Sequence, residues 1–413
     1  MKEEKIILKT PVKHDVITSL LKKLIFSKLS ELQYGQLVVK DMGVEYHFGD
    51  AIGNLRADIE IKNPIFYIDL FTKGSIGAAE SYMNHHWDSK DINSTMALFA
   101  ANKNVLSTID SGLVNLLKPV RFLEYWQQRN TIEGSKKNIV AHYDLPDELF
   151  KIFLDPTMLY SSAIYPGAES TLEEAQIHKM KIIADKLDIK PGSKILEIGS
   201  GWGAMCIYLA LNYDCHVTTT TISENQFQEA QKRIKALNLE NKITLLKKDY
   251  RELTGEYDRV VSIEMIEAVG HQYLPSYLKV ISNHLKADGF ALIQAITILD
   301  QDYERAVNEV DFIKKFIFPG SFIPSINAIV EKMKENTDMR LVAQADYAQH
   351  YAKTLTDWQT NFLQNKHQLS STKLDEAFHR MWNFYFAYCI GGFRERVIGV
   401  SHLVIAKPRY KNI

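Results

Sequence analysis

The residues best equipped for chemistry are a set of glycines behind a carboxylate and, further on, a pair of glutamates. Glu197 closes a short apolar stretch, and Gly199, Gly201 and Gly203 follow at alternate positions before a helical pattern begins. Glycines let the backbone turn sharply and come close to a ligand, and the helix N-terminus behind them offers unpaired amide donors. The spacing predicts a site for something small and polar. Glu264 and Glu267 stand three residues apart, so a helical segment there would aim both carboxylates at one pocket.

A dinucleotide-binding turn would carry its third glycine three residues after the second and leave room for a pyrophosphate. Here the third glycine comes after two. The Glu197 carboxylate would repel a pyrophosphate but suits the ammonium of a methionine moiety. S-adenosylmethionine is the favoured ligand, with a dinucleotide and a purely structural turn as the other two readings.

The elements that must position these residues follow a regular pattern. Strands are expected over 194–198, 216–221, 243–246, 259–263 and 290–296, with helices over 204–211, 224–237 and 273–285. Such alternation implies an α/β fold, a doubly wound and mainly parallel sheet that binds ligands at the carboxyl ends of its strands. Before it, 15–32 reads as an amphipathic helix with Asp15 as N-cap, core-facing or, as the other reading, a membrane-surface helix with basic flanks, and 35–70 as a small sheet. Helical material runs on to about residue 128, and the polar stretch 130–137 reads as a linker. We therefore expect a smaller N-terminal α+β domain over 1–130 and a catalytic domain over 131–413.

With 413 residues, 46% hydrophobic and 24% charged, the chain has the composition of a folded protein of two domains. Its net charge of −1 gives no positive field for nucleic acid. Three cysteines without a CxxC pair fit a reducing cytoplasm. No apolar run reaches the ~18 residues of a membrane span. His85 and His86 lack a third ligand at convincing spacing, so no metal is expected.

The chain resembles the cyclopropane fatty-acyl-phospholipid synthases, a family that includes the mycolic acid cyclopropane synthases. The matching segments are Ala141-His142-Tyr143-Asp144-Leu145, the run from Phe153 to Ala163, the glycine turn, Thr221-Ile222-Ser223 with Gln226, and Lys248-Asp249-Tyr250-Arg251. They continue with the run from Glu264 to Gly270, Phe316-Ile317-Phe318-Pro319-Gly320, and Gly392-Phe393-Arg394.

The resemblance implies a seven-stranded methyltransferase sheet with helical lid and acyl insertions. It implies an enzyme that moves a methyl from S-adenosylmethionine to a cis double bond of a phospholipid acyl chain and closes a cyclopropane ring. By this resemblance Tyr160 and Ser161 cover the cofactor, Gly199 and Gly201 lie along its methionine and ribose, Thr221 and Gln226 approach the ribose, and Tyr250 flanks the adenine. Glu267 and Tyr385 match the reaction centre; Glu264 is unmatched and reads as structural or surface.

The family also binds a bicarbonate ion, held by a cysteine amide, a glutamate, a histidine and a tyrosine. Ser162 stands in place of that cysteine and Gln294 in place of that histidine. Neither side chain replaces a titrating imidazole, which puts the ion and ring closure in question. The other readings are a methyl- or methylene-branched product, methylation of a soluble small molecule, or a lipid-binding protein that has lost the chemistry. A cytoplasmic homodimer, attached peripherally to the inner face of the membrane, is the expected setting.

Overall fold

The computed structural model describes residues 12–50, 53–105, 147–369 and 374–411, with side chains from residue 16. The chain divides into two compact units, Met1–Lys118 with Glu376–Phe384, and Pro119–Asp375 with Tyr385–Ile413. The boundary expected near residue 130, the linker 130–137 and the segment 141–145 lie outside the described residues.

In the first unit run α1 (Val12–Leu29), β1 (Gln36–Asp41), β2 (Val44–Gly49), β3 (Arg56–Ile61), α2 (Ile65–Met83), β4 (Trp87–Asp88) and α3 (Ile92–Ala101). The strands lie in the order β2-β1-β3-β4, with β1 antiparallel to β2 and parallel to β3. Met42 and Gly43, both left-handed, make the tight turn between β1 and β2. The strand pattern ends at Ile61 rather than running to residue 70, because Pro64 opens α2.

Helix α1 departs in two ways from the core-facing reading with Asp15 as N-cap. It begins ahead of Asp15, and it buries only part of its apolar surface: Leu21, Ile25 and Leu29 are inside, whereas Val16, Ile17, Leu20 and Leu24 are exposed. The Glu376–Phe384 segment, far away in sequence, joins this unit through Arg380. Its guanidinium donates to the Tyr82 and Trp87 carbonyls and pairs with Asp88 at 2.9 Å. His86 sits 3.6 Å from Asp69, and among the described residues no cluster could hold a metal.

The second unit runs through α4 (Asp147–Lys151), α5 (Leu172–Leu187), β5 (Ser193–Ile198), α6 (Ala204–Asn212), β6 (Cys215–Thr221), α7 (Glu224–Ala236), β7 (Ile243–Lys247), β8 (Tyr257–Ile263), α8 (Leu274–His284) and β9 (Leu285–Ile298). It continues with α9 (Asp300–Asn308), α10 (Ile326–Asn336), β10 (Arg340–Asp346) and α11 (Ala348–Asn365), takes the end of α12 (Glu376–Arg394), and closes with β11 (Ile398–Ala406). Seven strands form one sheet in the order β10-β11-β9-β8-β5-β6-β7. The pairs among β5, β6, β7, β8 and β9 are parallel, and β11 is antiparallel to both neighbours. This is the doubly wound sheet the sequence predicts.

Both faces of the sheet are covered, which is why its strands read as apolar runs. Strand β5 sends Ile195 into a core with Ile183 of α5 and Leu209 of α6, and sends Leu196 and Ile198 into another with Leu278 of α8 and Met333 of α10. Strand order reverses between β5 and β8, so the loops after Ile198 and Ile263 open at the switch point.

Candidate active site

The glycine turn uses each glycine differently. Gly199, Gly201 and Gly203 all have positive φ, at 94°, 49° and 90°. A Cβ on Gly199 would come within 3.1 Å of Met265, and one on Gly203 within 3.2 Å of Ala230, so these two permit close packing. A Cβ on Gly201 would meet nothing within 4 Å. The cradle opens there.

Glu197 does not reach into that opening. It points to the same side of β5 as Ile195, is 2% exposed, and accepts a hydrogen bond from Thr219. Burial pushes its carboxyl up to about 8. It underlies the turn, so direct contact with a ligand ammonium is not its role in this geometry.

The ribose and adenine candidates line the ends of β6 and β7. Thr221 donates to the Gln226 side chain at 2.9 Å, and Ser223 caps α7. Ile222, between them, is half-buried. Asp249 is engaged by Arg251 at 2.7 Å, and the Arg251 guanidinium also lies over the ring of Tyr250, which packs against Tyr277. The Tyr250 hydroxyl is buried without a hydrogen-bond partner among the described residues. An open cradle at Gly201 and a buried, unanswered phenol beyond β7 fit an adenosyl ligand.

The lid segment is fixed by three residues the sequence reading passed over. Gln176 donates to the Leu159 and Ser161 carbonyls. Arg233 donates to the Thr157 carbonyl at 3.0 Å and the Trp202 carbonyl at 2.9 Å, tying lid to glycine turn. Lys179, wholly buried on α5, donates to the Ser161 hydroxyl at 2.6 Å. Burial lowers its ammonium to about 8, against the pull of Glu264 and Asp155.

The structure brings Ser162, Gln294 and the two glutamates into one cluster, with Glu264 at its centre. Glu264 Oε1 accepts the Ser162 amide at 2.8 Å and the Gln294 side-chain amide at 2.7 Å; its Oε2 accepts the Tyr351 hydroxyl at 2.7 Å. Glu264 is therefore not a surface residue: its carboxylate is buried and held by three donors. The residues 264–267 are not one helical turn: Glu264 follows β8 with φ of 47°, and Glu267 lies in a 3-10 turn, Ile266–Ala268.

Glu267 Oε1 accepts the Ile296 amide, while its Oε2 is buried without a partner among the described residues. Burial pushes the Glu267 carboxyl up to about 8, and the Glu264 charge pushes the same way. Behind Gln294 stands His402, opposite it on β11, donating from Nε2 to the Gln294 oxygen at 2.9 Å. Lys186 lies 3.1 Å from its Nδ1. Burial lowers the His402 pKa, so the ring is neutral.

Tyr160, expected over the cofactor, and Tyr385, expected at the reaction centre, meet: their hydroxyls are 3.1 Å apart. Around them stand aromatic rings. Phe150, Phe153 and Trp358 pack on Tyr160, and Phe318 lies between the two tyrosines, 6.3 and 6.2 Å from their rings. Trp358 also meets Tyr351, the Glu264 partner, so phenols and acids form one continuous site. The segment 301–334 contributes Phe318 here, and its Phe312 and Phe322 are buried core.

A bicarbonate ion does not fit this arrangement. The Ser162 amide and the Gln294 amide that would hold it are already spent on the Glu264 carboxylate. A second anion would lie against a negative charge.

Fold and site together define an S-adenosylmethionine-dependent methyltransferase of the seven-stranded class. The family model for mycolic acid cyclopropane synthetase matches residues 130–403. The chain is 35% identical to the tuberculostearic acid methyltransferase of Mycobacterium tuberculosis, over 79% of this chain and 78% of that one. It is 34% identical to the cyclopropane-fatty-acyl-phospholipid synthase of Escherichia coli, over 86% and 89%.

Among solved structures, a mycolic acid cyclopropane synthase complexed with SAH and CTAB aligns with a TM-score of 0.61 at 31% identity, covering 66% of this chain and 98% of that one. Coclaurine N-methyltransferase, at 18% identity and a TM-score of 0.60, shares the fold. The chain belongs to the mycolic acid cyclopropane synthetase family.

Proposed function

We propose that the protein methylates the cis double bond of unsaturated phospholipid acyl chains and closes a cyclopropane ring. The observation that carries this reading is the Tyr160–Tyr385 hydroxyl pair set among aromatic rings and joined through Tyr351 and Trp358 to the glutamate cluster. An alkene is a weak nucleophile, so it must be held dry and oriented against the methyl donor. When bound, S-adenosylmethionine supplies an electrophilic methyl whose sulfur leaves with the bonding pair. The aromatic faces stabilise the cation that results, as they would any cation within ~6 Å, and exclude water that would quench it.

The glycine turn, Thr221, Gln226 and Tyr250 hold the cofactor, and Tyr160 and Ser161 cover it. Glu267 and Tyr385 face the reacting carbons in this assignment, and Ser162 and Gln294 position the carboxylate of Glu264. The chains would be met at a bilayer surface. The exposed Val16, Ile17, Leu20 and Leu24 of α1 support peripheral attachment, and among the described residues no helix is long and apolar enough to cross a membrane.

Relatives carrying the names of both methyltransferases and cyclopropane synthases support a second product, a methyl- or methylene-branched chain. Incubation with cis-unsaturated phospholipid vesicles tests the proposal. We expect cofactor consumption that saturated vesicles do not support; equal consumption without any lipid alkene would contradict it.

A further inference from the structure

Glu264 occupies a backbone position that ordinarily belongs to glycine. A φ of 47° strains a non-glycine residue, and such strain persists where the side chain has a task. The three donors to its carboxylate come from separate parts of the chain: Ser162 on the lid, Gln294 on β9 and Tyr351 on α11. Buried Lys179 supplies the opposing charge. Burial raises the carboxyls of both glutamates, Glu267 to about 8; Lys179 and the three donors oppose the rise at Glu264, whereas Glu267 Oε2 has no partner among the described residues, so the geometry favours Glu264 as the ionised member of the pair. A carboxylate has about four acceptor positions. Among the described residues three are used, and one on Oε2 is open.

We propose that the Glu264 carboxylate is a built-in substitute for a separately bound anion and accepts the proton released as the product forms. The inference rests on the proposed function. After the methyl has added to one alkene carbon, the other carries the positive charge. The added methyl loses a proton to Glu264, and the electron pair of the broken C–H bond becomes the new C–C bond of the ring. Glu264 ends neutral and returns its proton to solvent before the next turnover. Reaction then needs no dissolved bicarbonate.

The test compares wild type, Glu264→Gly and Glu264→Gln. Glycine suits the backbone at 264 and vacates a carboxylate-sized space lined by the Ser162 and Gln294 donors; glutamine fills that space without a base. Turnover is measured on cis-unsaturated phospholipid vesicles in CO2-purged buffer, then with added bicarbonate or formate. Binding of 13C-bicarbonate is followed by NMR, and SAH affinity by calorimetry.

We expect wild type to be indifferent to bicarbonate, and both variants to lose ~100-fold or more, the usual worth of a positioned base. Bicarbonate or formate should restore Glu264→Gly at least ~10-fold but leave Glu264→Gln inactive. SAH affinity should be unchanged, and a bound bicarbonate resonance should appear only with Glu264→Gly. Wild type that depends on bicarbonate, or Glu264→Gly that stays fully active in purged buffer, would overturn the inference while leaving the proposed function intact. Wild type that methylates no lipid in either buffer would overturn the proposed function itself. The NMR comparison would still read whether Glu264 fills the anion position, a bicarbonate signal in wild type showing that it does not.

Discussion

Gln294 on β9 and His402 on β11 face each other across antiparallel strands and share a hydrogen bond of 2.9 Å. An amide looks the same from either end until a partner fixes it, and neutral His402 does this by donating to the Gln294 oxygen. The Gln294 NH2 group is thereby turned toward Glu264 and the Ser162 carbonyl. His402 is a positioning residue. Replacing it with alanine should cut kcat ~10-fold, the worth of about one hydrogen bond, with SAH affinity unchanged. His402→Gln, which keeps a donor, should recover most of the loss. Equal damage from both variants would make the residue merely structural.

The glycine turn separates folding from binding. Gly201→Ala places its methyl in open space, so unfolding should cost only about 1 kcal/mol less than in wild type. SAH binding should nevertheless fall sharply, because that space is the cradle. Gly203→Ala meets Ala230 at 3.2 Å and holds φ at 90°, and should lose ~1–3 kcal/mol of stability. Calorimetry with SAH and urea unfolding on both variants check this pattern, and a Gly201→Ala that binds SAH normally would contradict it.

Arg233 clamps the lid to the turn through two carbonyls, Thr157 and Trp202. Arg233→Met retains the hydrophobic stem but leaves both oxygens unanswered. SAH affinity should drop ~10–100-fold, from hydrogen bonds of roughly 1.5–3 kcal/mol each partly replaced by water. Unchanged affinity would show that the lid closes without the clamp.

Glu267 gives the protein a pH signature. Its carboxyl is raised from 4.5 to about 8 in the folded state. The folded chain therefore keeps a proton that the unfolded chain releases, so this contribution is fully present below the unfolded value and is lost as pH rises through about 8. Glu267→Gln holds its amide at every pH. Relative to wild type it should gain stability between pH 5 and pH 8.5, on the order of 1–3 kcal/mol. Urea unfolding at the two pH values checks the sign, and a constant difference between the proteins would refute it.

Much of this architecture is carried by local pattern. The strand-turn-helix order around Gly199–Gly203 follows from short apolar runs, glycine spacing and the Ser223 cap, all readable within a few residues. The acid cluster is not local. Glu264 enters it because β8 and β9 pair Ile263 with Gln294, and because its backbone turns left-handed, neither of which its neighbours in sequence announce. His402 reaches Gln294 only through the register of β11. Lys179 reads as one more charge on the α5 face, and only packing shows it buried against Ser161. The attachment of Glu376–Phe384 to the first unit through Arg380 is likewise invisible to any single division of the chain.

The most direct measurement uses S-adenosylmethionine with a fully deuterated methyl and vesicles of a cis-monounsaturated phospholipid. The product acyl chain should gain one carbon carrying two of the three deuteriums, the third having left as the proton Glu264 accepts, and should resist mild hydrogenation as a ring does. An unlabelled acyl chain, or a branched chain retaining all three deuteriums, would contradict cyclopropane formation on phospholipid.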